Sequence, residues 1–177
     1  MIELIHNPSS AYYNKNIKII LITPPPVHEE MWKIECAKSN LPMNRSNELA
    51  KLYADAVVEV GKKYKVPVVN IYDRIIAEIQ NYRASHLKSE ASEGNSVQQG
   101  SGDDMEKGRW FGFEQFLYDG LHLNGRGNTI LTEMILGTIA THFPELHHRK
   151  LKPVVPTIYE AIEFYDKLSK MHIKSKL

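Results

Sequence analysis

Two short apolar runs alternate with amphipathic segments along the first half of the chain. The run at 17–22 is nearly continuous and is followed by three consecutive prolines, Pro24, Pro25 and Pro26. The run at 66–71 is rich in valine and has Pro67 near its start, where a missing N–H does least harm to a strand. Short β-branched runs bounded by prolines are typical of buried strands in a parallel sheet. We therefore expect two strands in these positions.

Apolar residues that recur every three or four positions predict the helices. The clearest helix covers 44–64, with Asn44 or Ser46 as its N-cap and Gly61 near its end. Further helices are expected at 73–83, up to about Tyr118, at 124–143 and at 157–171. The order strand, helix, strand, helix favours right-handed βαβ connections and an α/β sandwich.

Residues 85–108 break this alternation. Ser, Glu, Gly, Gln and Asp dominate the segment, and its apolar residues are scattered. Such a segment buries too little surface to offset the entropy of ordering it, which predicts a disordered insertion. The expected organisation is one α/β domain over 1–150 that carries this insertion, followed by an amphipathic helix and tail over 151–177.

Composition restricts the function classes. The 177 residues include 22 Lys and Arg against 21 Asp and Glu, so the net charge of +1 gives no electrostatic case for nucleic-acid binding. No apolar run reaches the roughly 18 residues that span a bilayer. The single cysteine, Cys36, excludes an internal disulfide and a zinc site built on several thiolates, and indicates a reducing compartment. The expectation is an intracellular protein without a membrane span.

The last three residues, Ser175, Lys176 and Leu177, match the tripeptide address for peroxisomal import. The position at the end of the chain is the one that the import machinery requires, although a lysine-rich tail also produces such a match by chance. The predicted location is therefore peroxisomal, or otherwise cytoplasmic.

The strongest candidate chemistry lies between two predicted helices, in the sequence Asp119-Gly120-Leu121-His122. An aspartate three residues before a histidine on a glycine turn folds its carboxylate back onto the ring. The carboxylate then holds Nδ1–H and leaves Nε2 free as a general base. The alternative is an ordinary turn in which Asp119 caps a helix and His122 has no chemical role. Spacing alone leaves both interpretations open.

Several sequence blocks carry a resemblance to a known family. Residues 116–125, Phe-Leu-Tyr-Asp-Gly-Leu-His-Leu-Asn-Gly, resemble the last motif block of the GDSL/SGNH hydrolases. Residues 20–27, Ile-Leu-Ile-Thr-Pro-Pro-Pro-Val, look like the strand and loop after the Asn block of the isoamyl acetate-hydrolysing esterase branch. The blocks at 45–48, 53–54 and 66–69 are similar to the same branch in the same order. The resemblance covers about 17–84 and 108–150, the C-terminal part of such an enzyme.

The resemblance implies an incomplete three-layer α/β/α sandwich that lacks its N-terminal strands. It also implies hydrolysis of short acetate esters without a cofactor or metal, with Asp119 and His122 as the acid–base pair. The family's nucleophile is a serine in a Gly-Asp-Ser block, which occurs nowhere in these 177 residues. Ser9 and Ser10 precede the first predicted strand instead of following one, and Gly102-Asp103-Asp104 lacks the hydroxyl.

Two hypotheses follow from the missing nucleophile, whose loss costs about 10⁶ in kcat. The first is a complete esterase of which this chain is a fragment. The second is a catalytically inactive truncated hydrolase that binds a partner, or a second copy of itself, through an uncovered sheet face.

Other candidate residues favour structural roles. His28, Glu29 and Glu30 resemble a metal-ligand set, but an acidic helix N-terminus explains them better. Trp110, Phe111 and Phe113 are predicted core anchors. Cys36 is expected to be a buried or idle thiol.

Overall fold

The computed structural model describes residues 1–92, 111–151, 158–159 and 162–165, with side chains described only as far as Ser85 in the first range. The chain divides into two compact units, residues 1–142 and residues 143–177. In the first unit the elements are α1 Ile2–His6, β1 Leu21–Ile22, α2 Glu29–Lys38, α3 Asn47–Tyr64, β2 Val68–Val69, α4 Ile71–Ser92 and α5 Gly125–His142. In the second unit they are a 3-10 helix at Pro144–Leu146 and helical residues at 158–159 and 162–165.

Several predictions lie outside the described residues. They concern the insertion from 93 to 108, Trp110, most of the helix predicted at 157–171 and the terminal residues 175–177. The domain boundary expected at 150 also stays a prediction.

The two strands form a parallel pair, as the alternating pattern predicts. Leu21 aligns with Val68 and Ile22 with Val69. The strands are two residues long, shorter than the predicted 17–22 and 66–71. Pro67 limits the pairing at one end, since it has no N–H to donate, although its carbonyl accepts from Leu21 N at 2.9 Å. The prolines from Pro24 onward limit it at the other end. The described fold is thus α/β with a small parallel sheet.

Helix α3 begins where its N-cap signal predicts. Ser46 caps the helix, and its hydroxyl accepts from Leu49 N at 3.2 Å. The helix ends at Tyr64, and Lys65 adopts the left-handed conformation with φ 53°. Gly61 is buried in the last turn of the helix and lies against β2. A Cβ at this position would lie 2.1 Å from the Val68 side chain, so only glycine fits there. The glycine therefore permits close packing of α3 on β2 and does not end the helix.

The residues of α3 that are buried are small. Ala50 and Ala54 lie in a core cluster with Val27 and Tyr72. The large apolar residues that define the predicted amphipathic face, among them Leu52, are mostly exposed in this structure. They are Leu49, Leu52, Tyr53 and Val60. The periodicity therefore predicts the helix correctly but not which of its side chains are buried here.

Helix α4 starts at Ile71 and continues to Ser92, beyond the predicted end at 83. Residues 85–92 are therefore helical, which corrects the prediction that a disordered insertion begins at 85. Half of this stretch consists of the good helix formers Leu87, Lys88, Glu90 and Ala91, so low hydrophobicity is no barrier to helix formation. The buried side chains of α4 form the main core with the segment after the insertion and with α5. This cluster contains Ile71, Ile75, Ile79, Phe116 and Ile130.

The segment before the candidate site consists of turns and not of the short helix predicted to end near Tyr118. Gly112 has a φ of +97°, which a helix does not accommodate. Phe116 N and Leu117 N both donate to the Phe113 carbonyl, at 2.9 and 2.8 Å. These turns place Phe116 and Leu117 in the core, directly before Asp119.

Two structural observations concern membranes and metals. In the described ranges, no helix is long and apolar enough to cross a membrane. Within the same residues, no three His, Cys, Asp or Glu side chains are grouped so as to bind a metal ion. His28 is the N-cap of α2, where its Nδ1 accepts from Met31 N at 3.3 Å, and Glu29 and Glu30 occupy the first turn. The three residues thus form the N-terminus of a helix, as the structural interpretation of the sequence predicts.

Candidate active site

The loop that holds the Asp-x-x-His sequence is closed by its own backbone. Leu117 and Leu123 form an antiparallel bridge at its base. Above this bridge, Tyr118 N donates to the His122 carbonyl at 2.8 Å. Helix α5 follows at once, with Asn124 Oδ1 accepting from Gly127 N at 3.1 Å. The two candidate residues therefore sit on a short loop whose ends are fixed by a bridge and by a helix start.

The structure brings Asp119 and His122 together in the predicted way. The Asp119 Oδ2 atom lies 2.7 Å from Nδ1 of His122. The other oxygen, Oδ1, accepts from the backbone N–H groups of Leu121 and His122 at 2.9 and 2.8 Å. The Asp119 side chain is 9% exposed and that of His122 is 68% exposed. A largely buried carboxylate thus orients an accessible imidazole whose Nε2 is on the far side of the ring from the Asp119 contact.

Electrostatics favour a charged carboxylate at this position. Burial of Asp119 acts to raise its pKa, but hydrogen bonds outweigh this effect. The backbone N–H and the ring of His122, together with the N–H of Leu121, hold the pKa of Asp119 below its ordinary value. A carboxylate that stays ionised stabilises an imidazolium next to it, which a general base needs after it takes a proton.

Gly120 lets helix α2 approach this loop closely. Its φ is +90°, a conformation that residues with a side chain rarely adopt. Its carbonyl accepts from His28 N at 2.7 Å. A Cβ at this position would lie 2.5 Å from the His28 carbonyl oxygen and 2.7 Å from Trp32 N. The first turn of α2 is therefore packed directly against the loop between Asp119 and His122.

Trp32 is a residue of this site that the sequence pattern does not indicate. Its ring lies 5.9 Å from the His122 ring between centroids, with an angle of 77° between the planes. Its Nε1 donates to Asn44 Oδ1 at 3.2 Å. Ninety positions separate Trp32 from His122 in the chain, and no spacing rule joins them. The contact exists because Gly120 allows α2 to approach the loop.

Asn47 lies in the block at 45–48, but the sequence does not indicate the contacts that this residue makes near the site. Its Oδ1 accepts from Val27 N at 3.0 Å and from the Tyr72 hydroxyl at 3.1 Å. Its backbone N–H donates to Glu29 Oε1 at 2.8 Å. Asn47, at the start of α3, is thereby joined to the loop after β1 and to α4 by its side chain, and to the first turn of α2 by its backbone.

An apolar groove of about 580 Å³ borders this junction. Its lining includes Leu121 of the candidate loop and the buried residues Val27 and Ala50. The remaining lining residues are Pro24, Pro25, Asn44, Arg45, Ser46, Leu49, Tyr53 and Val57.

The remaining candidate residues lie in other surroundings. Ser9 and Ser10 lie in turns after α1, where Ser10 Oγ accepts from Tyr12 N at 3.1 Å. Within the described part of the chain, neither hydroxyl has a hydrogen bond to His122. Cys36 is buried in α2. Phe113 packs against the main core, in line with its predicted anchor role.

Comparison with known proteins gives relatives of one kind. No protein-family model matches the chain. It is 26% identical over 152 residues to the isoamyl acetate-hydrolyzing esterase of Saccharomyces cerevisiae, a match that covers 85% of this chain and 51% of that protein. It is 28% identical over 114 residues to the isoamyl acetate-hydrolyzing esterase 1 homolog of Mus musculus, covering 64% of this chain and 33% of the relative. The human homolog is 26% identical over the same shares.

These matches confirm the resemblance that the sequence blocks predict. The relatives carry the name of the branch to which the blocks at 20–27, 45–48, 53–54 and 66–69 are similar. The chain spans about half the length of the yeast relative and about a third of the length of the mammalian ones.

Proposed function

Because the chain belongs with the isoamyl acetate-hydrolysing esterases of the GDSL/SGNH family, we propose that it supplies the acid–base pair of a carboxylic ester hydrolase. His122 is the base and Asp119 is the residue that orients it. The observation that carries this proposal is the contact of 2.7 Å between Asp119 Oδ2 and His122 Nδ1 on a closed loop. The ordinary turn, the alternative at the sequence level, does not require the ring to be held in this way.

The proposed reaction proceeds in two halves. A serine hydroxyl attacks the ester carbonyl while His122 Nε2 takes the serine proton. His122 then gives this proton to the departing alcohol, which leaves an acyl-serine. In the second half His122 takes a proton from water, the resulting hydroxide attacks the acyl group, and the serine regains its proton. The Asp119 carboxylate stabilises the imidazolium in both halves.

The nucleophile in this proposal lies outside the 177 residues. No Gly-Asp-Ser occurs in the sequence, and the family also draws its oxyanion-hole donors from blocks that are absent here. Removing one such donor costs about 10²–10³ in kcat, and removing the nucleophile about 10⁶. We therefore expect the 177-residue chain alone to have no esterase activity by this mechanism.

The proposed substrates are acetate esters of short alcohols, in line with the names of the relatives. The complete fold proposed for the enzyme is a three-layer α/β/α sandwich. The parallel pairing of β1 and β2 supports this architecture, since parallel strands are usually covered by helices on both faces. No cofactor or metal takes part in the proposed steps.

A chimera tests the proposal. The chain is joined to the portion of the yeast relative that it does not match, and hydrolysis of p-nitrophenyl acetate is measured beside the unjoined 177-residue chain. We expect turnover by the chimera, labelling of one serine by a fluorophosphonate, and neither result with the chain alone. His122→Ala in the chimera should reduce kcat by about 10⁴-fold or more, whereas His148→Ala, at an exposed position, should leave it unchanged. Turnover that does not depend on His122 would contradict the proposal.

A second candidate function is supported by the exposed face of α3. Leu52 and Tyr53 are 64% and 59% exposed, beside the apolar groove. A catalytically inactive hydrolase that binds a second copy of itself through this region would cover these residues. Analytical ultracentrifugation separates the two functions: a dimer that becomes a monomer in Leu52→Glu supports the binding module, and a monomer at all concentrations excludes self-association.

Peroxisomal import is a separate proposal that is based on the last three residues alone. A fluorescent reporter that ends in the last ten residues of this chain should enter peroxisomes. Deletion of Leu177 should leave the same reporter in the cytosol. A reporter that stays cytosolic with the intact tail would refute the address.

A further inference from the structure

Among the residues that the structure describes, the proposed base has a single directional contact. The His122 side chain is 68% exposed, and its ring has one hydrogen bond within that part of the chain, from Nδ1 to Asp119. One hydrogen bond fixes the distance of a ring nitrogen but allows the plane of the ring to tilt around it. A base that must point its other nitrogen at a serine needs its plane fixed as well, within roughly 10–20°. Another group must therefore restrict the tilt.

Trp32 is in a position to restrict it. The two rings meet at 77° with centroids 5.9 Å apart, the edge-to-face arrangement that aromatic pairs prefer. The contact comes from α2, so it restrains the ring from an element other than the one that carries Asp119. The imidazole therefore contacts groups from two different elements, the carboxylate of its own loop and the indole of α2.

Trp32 is itself held at two points. Its Nε1 donates to Asn44 Oδ1, at 3.2 Å, which sets the orientation of the indole. Its backbone lies against Gly120, and the hydrogen bond from His28 N to the Gly120 carbonyl joins the start of α2 to the loop. The indole and the imidazole are thus carried by two elements that are fastened directly to each other.

We propose that Trp32 is a positioning residue that fixes the ring plane and the tautomer of His122. This inference rests on the proposed role of His122 as the base and adds to it a residue of this chain that acts through His122. Asn44 has the subordinate role of orienting Trp32. Neither residue is proposed to touch the reacting atoms.

Nuclear magnetic resonance on the 177-residue chain tests the proposal without any need for turnover. The ¹⁵N shifts of the two ring nitrogens give the ratio of the Nδ1–H to the Nε2–H tautomer in neutral His122. Loss of an aromatic pair corresponds to a change of about threefold to tenfold in a population. We expect a shift of this size away from the Nδ1–H tautomer in Trp32→Leu, and a ratio close to wild type in Trp32→Phe, which keeps an aromatic ring.

The controls separate positioning from general damage. The shifts of His148, which belongs to the other unit, should stay unchanged in every variant. If Trp32→Leu does not fold, Asn44→Ala decides the matter, because it leaves the indole in place without its hydrogen bond and should produce a smaller shift of the same sign. An unchanged tautomer ratio in both Trp32→Leu and Asn44→Ala would overturn the proposal, as would equal shifts in Trp32→Leu and Trp32→Phe.

The chimera distinguishes this inference from the proposed function. In an active chimera, Trp32→Leu should lower kcat by about threefold to tenfold and leave KM unchanged, with rescue by Trp32→Phe. If the chimera is inactive while the tautomer ratio still responds to Trp32, the proposed function fails and the positioning role stands.

Discussion

Two regions around the short sheet differ in how completely their apolar side chains are buried. On the side of α4, α5 and the candidate loop, large apolar residues are fully buried, with Phe116 at 0% exposure. On the side of α3 and β1, the residues that α3 itself buries are small, and large residues such as Leu52 and Ile22 remain exposed. The candidate loop thus belongs to a completed core, whereas the region beside β1 has an apolar surface without a described neighbour.

This difference shows which part of the molecule is able to define a geometry. A loop built on a filled core keeps its side chains in one arrangement, because any movement opens a cavity or breaks buried contacts. An uncovered apolar face sets no such limit and is suited to receive further structure. The Asp119–His122 pair therefore has its geometry set within these 177 residues, while the α3 face does not.

The largest expected effect is that of shortening a side chain on the packed side. Phe116→Ala should lower the free energy of unfolding by about 3–5 kcal/mol, because it removes a buried ring and leaves a cavity. Leu52→Ala, on the open side, should change it by about 0.5 kcal/mol or less. Urea denaturation of both variants measures the contrast. A large loss in Leu52→Ala would show that the α3 face is buried in solution and would remove the distinction between the two sides.

The next largest difference in stability is expected between substitutions at two glycines, Gly120 in the candidate loop and Gly137 in α5. Gly120→Ala should cost about 2–3 kcal/mol, since it adds strain at a positive φ and forces α2 off the loop. Gly137→Ala is the matched control in α5, where an added Cβ meets nothing within 4 Å. It should stabilise the protein by about 0.5–1 kcal/mol. Thermal denaturation compares the two, and a tolerated Gly120→Ala would contradict the close contact described between α2 and the loop.

A smaller effect is expected at the start of α3. Ser46→Ala should cost about 1 kcal/mol, because Leu49 N loses the hydroxyl that accepts its hydrogen bond. Ser46→Asp keeps a capping oxygen and should stay near wild type. Equal free energies of unfolding for all three proteins in urea would contradict a stabilising role of the Ser46 cap in α3.

The smallest expected effect is confined to acid pH. The pKa of Asp119 is lowered in the folded protein, so the carboxylate contributes stability above its unfolded value near 3.8 and loses it as pH falls through the folded value. Wild type should therefore lose stability more steeply than Asp119→Asn as pH falls below about 4. Denaturant midpoints measured below about pH 5 provide the test, and parallel curves there would contradict the lowered pKa.

Local signals explain how much of the fold the sequence predicts. The start of α3 is determined by Ser46 and the start of α5 by Asn124, both of which act within three residues. The lengths of the strands are not local, because the ladder stops where Pro67 faces the neighbouring strand. The continuation of α4 to Ser92 is not predicted from composition. Low hydrophobic content indicates how little a segment can bury, but it does not indicate how readily the segment forms a helix.

The candidate site divides in the same way. Asp119 and His122 meet through three residues of turn geometry, so their contact follows from the sequence. Trp32 and Asn47 act on the site across elements that are far apart in the chain, and only the packing of α2 brings them there. Resemblance to a family supplies the chemistry of the pair but not these supporting contacts.

The hydrogen bonds around the candidate loop also have a consequence for the order of folding. The hydrogen bonds between the two ends of the loop join residues at most 10 positions apart, the longest being that from Asn124 to the Glu114 carbonyl. The strand pair, by contrast, depends on contacts such as that of Thr23 with Asn70, across 47 positions. Short loops close at a lower entropic cost and therefore sooner. When the complete chain refolds, the Asp119–His122 turn is thus expected to be among the first parts to acquire its final geometry, before β1 and β2 pair.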